Sequence, residues 1–162
     1  MTDQIFGELT QEGDYGWWGK QTLDFGKNIC SVDILIHGGE DEITQRQRMA
    51  FEAFIKKWPT LQETLMGALI KYYNEEERFG YGPEDEAETE EWWPEIKTKE
   101  ALLQAVTLET IVVAPDYEQE NKRSIYLLFS RTWGGEDLDD NGVGVHYVDE
   151  GIDEIGYKDL AF

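Results

Sequence analysis

The sequence from Asn28 to Trp58 reads NICSVDILIHGGEDEITQRQRMAFEAFIKKW and contains a strand pattern followed by a helix pattern. Residues 28–36 are rich in β-branched side chains, which is typical of a strand, and the His-Gly-Gly triplet that follows would end it. Thr44 and Gln47 have the spacing of a capping box, and large apolar residues then recur every three or four positions. The stretch therefore predicts a strand that leads into an amphipathic helix.

Two main helices are predicted in the middle of the chain. Pro59 would end the first because it cannot continue the helical hydrogen bonds, and Thr60 would cap the second. Glu75–Glu77 would place negative charge at a helix carboxyl end, which the macrodipole disfavours, so we expect this helix to end near Asn74. A shorter helix would begin after Thr98.

Both ends of the chain have strand patterns. In the first third, residues 25–28 predict a hairpin turn with Gly26 at positive φ. The predicted strands of the last third span residues 108–114, 124–132, 143–148 and 152–157. Strands without intervening helices pair antiparallel. We expect an α+β fold in which an antiparallel sheet of about six to eight strands has two main helices packed on one face.

The length of the chain favours one domain. A chain of 162 residues most simply forms a single core, so we interpret residues 1–162 as one α+β domain. Glycine, proline and acidic residues are concentrated at about residues 79–94, which predicts an acidic loop insertion within that domain.

Charge is the feature that most restricts function. The chain has 35 acidic and 14 basic residues, a formal net charge of -21. Such a charge repels nucleic acid and anionic membranes and attracts partners with a basic surface. Six acidic residues lie between Glu84 and Glu91 and nine between Glu136 and Asp159. The composition therefore favours an acidic binding protein.

The remaining composition favours the cytoplasm. The single cysteine, Cys30, lies in an apolar run and is expected to be a buried thiol. The amino terminus lacks the basic and apolar regions of a signal peptide, and no apolar stretch approaches the roughly 20 residues of a membrane span.

Two tryptophan pairs, Trp17-Trp18 and Trp92-Trp93, are candidates for apolar anchoring of a partner. Neighbours in a strand point to opposite faces, so one tryptophan of each pair should be buried and the other could lie on a binding surface. The predicted partner-binding residues are Glu84, Asp85, Glu86, Glu88, Glu90, Glu91, Trp92, Trp93, Glu136, Asp137, Asp139 and Asp140.

Residues 137–142 match the first half of a calcium-binding loop. Asp137, Asp139 and Asn141 have the ligand spacing of such a loop. The second half fails, since Val148 stands where a bidentate glutamate is expected. A weak Ca²⁺ site and a plain acidic turn are the two interpretations, and no metal or cofactor is predicted.

Signatures of catalysis are missing from the sequence, which contains no nucleophile elbow, P-loop or dinucleotide fingerprint. His37 and His146 fall in different strands and are interpreted as surface or structural histidines. His146 lies between apolar neighbours, and strand alternation would point it toward solvent. We therefore expect a protein that is not an enzyme.

Several short motifs resemble a family of uncharacterised bacterial domains. They are Tyr15-Gly16-Trp17-Trp18, Leu23–Lys27, Ile43–Gln47 with Ala50, Phe51 and Phe54, Tyr72-Tyr73, and the ending Ile155-Gly156-Tyr157-Lys158-Asp159. Small acidic domains of this kind are similar to immunity proteins of bacterial toxin systems, including contact-dependent inhibition. The resemblance implies a cytosolic inhibitor and assigns no contact residue.

The leading hypothesis is thus an immunity protein that neutralises a toxin, such as a nuclease, by covering its active or substrate-binding surface. The alternatives are a regulatory or scaffold domain with another protein partner, and a Ca²⁺-responsive module.

Overall fold

A computed structural model of the chain describes residues 1–38, 42–81, 90–115, 121–134 and 142–162. Seven of the strands in these residues form one sheet in the order β3-β4-β5-β6-β7-β8-β9, and β1 and β2 form a small separate hairpin. The strands are β1 (Thr2–Asp3), β2 (Gly7–Glu8), β3 (Thr10–Glu12), β4 (Gly16–Phe25), β5 (Asn28–His37), β6 (Val106–Val113), β7 (Ser124–Arg131), β8 (Val143–Val148) and β9 (Gly151–Tyr157). The α+β class is confirmed.

The main sheet is mixed, so the prediction of a purely antiparallel sheet is wrong at one pair. β5 and β6 are parallel, with Asp33 opposite Thr110 and Ile36 opposite Val113. All other neighbours in the sheet are antiparallel. Parallel neighbours require a crossover connection, and the helical segment between β5 and β6 supplies it.

A single long helix replaces the first two predicted helices. α1 spans Gln45–Tyr72 and includes Pro59 in its interior. Pro59 removes one backbone donor, which costs about 3 kcal/mol in a helix interior. Trp58 and Leu65 are both buried on either side of it, one heptad apart, so one face stays apolar through the proline. The burial of this continuous stripe outweighs the lost hydrogen bond, and the prediction of a helix end at Pro59 is wrong.

The chain remains helical after α1. A π-helical turn covers Tyr73–Glu77, and α2 spans Arg78–Tyr81, so the predicted end near Asn74 is also wrong. The argument from the macrodipole fails because Glu77 is buried and accepts a hydrogen bond from the Trp133 indole at 2.8 Å.

The local signals at three element ends are confirmed. Thr44 and Gln47 form both hydrogen bonds of the capping box at the start of α1. The Thr98 hydroxyl accepts from the Ala101 amide at the start of α3, which spans Lys99–Ala105. β4 and β5 join through a two-residue turn in which Gly26 has a φ of 60°.

The sheet carries apolar clusters on both faces. On one face, buried residues of α1 form the main cluster with alternate residues of β5 to β8, and Phe54 meets Tyr147 edge-on at 5.3 Å. The opposite face, called the outer face below, carries a smaller cluster beneath the carboxyl-terminal 3-10 turn Lys158–Ala161. Cys30 belongs to the main cluster, and burial raises the pKa of its thiol. No helix in the described ranges is long and apolar enough to cross a membrane.

Candidate functional site

Four of the predicted partner-binding residues lie in the described part of the chain: Glu90, Glu91, Trp92 and Trp93. The others lie outside the described residues, namely Glu84, Asp85, Glu86, Glu88, Glu136, Asp137, Asp139 and Asp140, as does Asn141 of the candidate calcium turn. Among the residues that are described, no group of three or more His, Cys, Asp and Glu side chains could hold a metal ion.

The Trp92-Trp93 pair divides between surface and core. Trp92 is 42% exposed and Trp93 only 5%. Glu90 and Glu91 are exposed and lie with Trp92 in one helical turn. The carbonyl of Trp93 accepts a hydrogen bond of 2.8 Å from Arg78 at the end of the long helical segment. The exposed Trp92 is therefore fixed to the fold through its buried neighbour.

The flanks of the two acid-rich stretches meet in the structure. The amide of Gly134 donates to the carbonyl of Trp92 at 2.8 Å. Trp92 follows the first acidic stretch in sequence, and Gly134 precedes the second. The fold thereby joins two parts of the chain that sequence reasoning could only treat separately.

A buried aromatic and ionic cluster supports this junction. The Trp133 and Tyr73 rings have centroids 4.3 Å apart, and the Tyr73 hydroxyl donates to the Pro94 carbonyl at 2.6 Å. The Arg131 guanidinium lies 3.5 Å from the Glu77 carboxylate, and both side chains are almost fully buried. Burial raises the pKa of Tyr73, so the phenol stays protonated and keeps its donor at any ordinary pH.

The other tryptophan pair lies at the opposite end of the sheet. Trp17 packs against the main cluster and Trp18 against the outer-face cluster, as strand alternation predicts. Both side chains are half-buried, so the prediction that one tryptophan of this pair is buried and the other exposed is wrong. Trp18 lines an open cavity of about 750 Å³, which we call the Trp18 groove. Its lining consists of Glu8, Thr10, Glu12, Trp18, Gly19, Lys20 and Asp33.

The Trp18 groove is acidic, with three carboxylates against one ammonium group. Lys20 pairs with Asp33 at 3.0 Å, and both side chains remain substantially exposed. The Thr2 hydroxyl donates to the carboxylate of Glu8. Glu12 is exposed on the short edge strand β3. Sequence reasoning missed this site, because its lining residues come from β2, β3, β4 and β5, which only the fold brings together.

The prediction that His146 faces solvent is wrong. Its side chain is buried, with Tyr126 stacked on the imidazole at 4.1 Å between ring centroids. The outer face is closed here by its own apolar cluster, so a residue that points away from the main cluster is still buried. The sequence carried no signal for this second cluster beyond the apolar residues at alternate strand positions.

His146 joins Ser124 and Asp153 in a hydrogen-bonded chain. Its Nε2 lies 2.7 Å from the Ser124 hydroxyl and its Nδ1 lies 3.2 Å from the Asp153 carboxylate. Asp153 reaches the ring at a bulge between β8 and β9. Serine hydrolases use the same order of groups, but Ser124 is only 7% exposed here, which limits access of a substrate to its hydroxyl. The chain of hydrogen bonds satisfies a buried imidazole between three strands.

The sequence model of a domain of unknown function, DUF6985, matches residues 5–162. No curated protein and no solved structure matches the chain. The interpretation of residues 1–162 as one domain stays a prediction.

Proposed function

This chain belongs to the DUF6985 family, and we propose that it is an acidic cytoplasmic binding protein of the immunity type. It would neutralise a cognate bacterial toxin by occluding the active or substrate-binding surface of the toxin. It would do so by binding alone and would not itself be an enzyme.

The observation that carries this proposal is the junction at Trp92. The exposed Trp92 follows the exposed residues Glu90 and Glu91 in one helical turn, and its backbone carbonyl accepts a hydrogen bond from the Gly134 amide. Sequence places further acidic residues directly beyond both Glu90 and Gly134. Aromatic side chains dominate the energetics of protein interfaces, and surrounding charges select the partner.

The two kinds of side chain have separable roles. Rim carboxylates attract a basic surface over a distance of about a Debye length, so they raise the association rate and lose effect in salt. A tryptophan that becomes desolvated in the complex lowers the dissociation rate. A toxin that acts on nucleic acid is basic where its substrate binds, which fits an inhibitor with this charge.

The first experiment identifies the partner by pull-down of the tagged protein from native lysate at low and high salt, read by mass spectrometry. Binding kinetics are then measured for two double variants. The first combines Glu90→Gln and Glu91→Gln. The control combines Glu52→Gln and Glu100→Gln, which removes the same charge from exposed positions of α1 and α3. Slower association only in the first variant, with the difference lost at about 0.5 M salt, supports the proposal. Equal rates in both variants contradict the role of this surface.

One observation favours a second candidate function, serine hydrolase chemistry. Ser124, His146 and Asp153 have the hydrogen-bond order that activates a nucleophilic serine. A fluorophosphonate probe would add covalently to such a serine and release fluoride, and intact-mass spectrometry would detect the adduct. Labelling that disappears in Ser124→Ala and in His146→Ala would establish this candidate, whereas an unmodified mass after prolonged exposure would remove it.

A further inference from the structure

We propose that the Trp18 groove is a docking site for an arginine side chain, presented by a loop of the protein partner. The inference deepens the proposed function, because it assigns a second contact surface on the same acidic protein and the residue type that this surface takes. The groove itself can be tested without the partner.

Strand register explains how the groove forms. Thr10 lies opposite Trp18 in the β3–β4 pair, and Trp18 lies opposite Leu35 in the β4–β5 pair. Residues two positions apart in a strand share a face. Thr10 and Glu12 of β3 therefore share the face that carries the indole. Glu8, which belongs to β2, also lines the groove, as do Lys20 and its register partner Asp33. An aromatic surface lies between carboxylates on two sides.

In the described part of the chain, this end of the outer face carries an open cavity. The carboxyl-terminal turn covers the centre of the face, where Ala161 packs on the outer-face cluster and Leu160 and Trp18 lie at its margin. The indole of Trp18 is thus supported on one side and half-exposed on the other. The cavity of about 750 Å³ is in the range that encloses a small ligand or a side chain with its neighbouring backbone.

The charge of the groove selects a cation. Carboxylates of Glu8, Glu12 and Asp33 outnumber the single ammonium of Lys20, which is already paired with Asp33. A phosphate or a carboxylate ligand would be repelled, and an uncharged apolar segment would have to desolvate the carboxylates without replacing their hydrogen bonds. A positively charged side chain is attracted by the carboxylates and replaces the hydrogen bonds that they lose with water.

Among cations, guanidinium matches the geometry best. It stacks on an indole face and donates two parallel hydrogen bonds to a carboxylate, so it can use Trp18 and Glu12 together. Lysine offers a compact, strongly hydrated charge that forms neither contact as well. The groove should therefore distinguish arginine from lysine at equal charge.

The protein is titrated with terminally blocked Gly-Arg-Arg-Gly, and the indole N–H resonance of Trp18 is followed by nitrogen-15 NMR. A Trp18→Phe variant assigns this resonance. Matched peptides carry lysine or uncharged citrulline in place of arginine, and spermidine represents a free polyamine. We expect saturable shifts of the Trp18 resonance with the arginine peptide, binding weaker by about fivefold with lysine, and none with citrulline.

Glu12→Gln provides the test of the site without endangering the fold, because Glu12 is exposed and lies on an edge strand. This variant should weaken binding of the arginine peptide by about fivefold, while Glu100→Gln, with the same loss of charge on α3, should leave it unchanged. An unmoved Trp18 resonance, equal binding of the arginine and lysine peptides, or spermidine binding as tightly as the arginine peptide would overturn the proposal. Peptide binding at Trp18 without any effect of Glu90 and Glu91 on a partner would refute the role of the Trp92 surface in the proposed function and leave the groove intact.

Discussion

Replacement of Arg123 by methionine should destabilise the protein strongly at neutral pH and weakly in acid. Arg123 donates two hydrogen bonds to the Glu150 carboxylate, at 2.6 and 2.8 Å, and the Glu150 side chain is only 3% exposed. Among the described residues, Lys57 also lies near this carboxylate, at 3.6 Å. Glu150 also sits in the β8–β9 turn at a φ of 61°, next to Asp149 at 47°, so its backbone is held in a region that such residues rarely adopt.

The expected loss follows from these contacts. A hydrogen bond to a charged group contributes about 1.5–3 kcal/mol, which sets an upper limit of about 3–6 kcal/mol for two. Arg123 itself is 42% exposed, and Lys57 remains after the substitution, so solvent and the second cation reduce this figure. We expect a decrease of about 2 kcal/mol in the free energy of unfolding at pH 7.

The pH dependence has a definite sign. The hydrogen bonds from Arg123 hold the pKa of Glu150 below its ordinary value of 4.5, against the opposing effect of burial. A carboxylate with a lowered folded-state pKa stabilises the protein above its unfolded-state pKa, and this contribution is lost as the pH falls through the folded-state value. In Arg123→Met, Lys57 still opposes the effect of burial on the pKa of Glu150. The difference between wild type and variant should therefore shrink as the pH falls below 4.5.

Urea unfolding followed by tryptophan fluorescence measures the effect at several pH values. The matched control is Lys20→Met, which breaks an exposed ion pair with Asp33 whose two side chains are 76% and 43% exposed. Lys20→Met should lower the free energy of unfolding by less than about 0.5 kcal/mol at any pH. A loss under about 0.5 kcal/mol for Arg123→Met at pH 7, or a loss that stays constant into acid, would refute the reasoning.

Three further variants test the helix and the core by the same unfolding assay. Pro59→Ala restores a donor for the Ile55 carbonyl but also gives the unfolded chain greater freedom. The net effect should be a stabilisation of about 1 kcal/mol. Destabilisation would show that α1 needs the proline. Thr44→Ala removes the hydroxyl that caps the Gln47 amide and should cost about 1 kcal/mol, whereas Thr44→Ser should restore most of it. Leu65→Ala, at a fully buried position, should lower the free energy of unfolding by about 3 kcal/mol. A smaller loss than that of Thr44→Ala would contradict the place of Leu65 in the core.

Predictions that depended on a few neighbouring residues were confirmed. The capping box of Thr44 and Gln47, the Thr98 cap and the Gly26 turn each close within three residues of the chain. Their hydrogen bonds compete only with water and with other local conformations. The local sequence is therefore sufficient to specify them.

The two predictions that ended a helix on the basis of a local signal, at Pro59 and near Asn74, were wrong. Pro59 disfavours a helix by about 3 kcal/mol, but Trp58 beside it packs on the core and donates from its indole to the Asp24 carbonyl at 2.7 Å. Glu77 carries a charge that the macrodipole disfavours at a helix end, but here its carboxylate accepts from the Trp133 indole and pairs with Arg131. In each case contacts with distant parts of the chain outweighed the local preference.

The candidate sites divide in the same way. Sequence alone found the acidic and aromatic composition around Trp92, but it could not show that the backbone of Trp92 meets Gly134. It also missed the Trp18 groove, which needs the register of three strands, and the buried environment of His146, which needs the second cluster on the outer face.

The sequence by itself determined the α+β class, the large negative charge, and the caps and turns, because these depend on composition or on hydrogen bonds between near neighbours. Tertiary structure alone decided the parallel β5–β6 pair, the continuity of α1 through Pro59, and which side chains share a surface. The physical reason is that strand pairing and burial are settled by contacts between residues far apart in sequence, whose free energies add up only when the whole core is assembled.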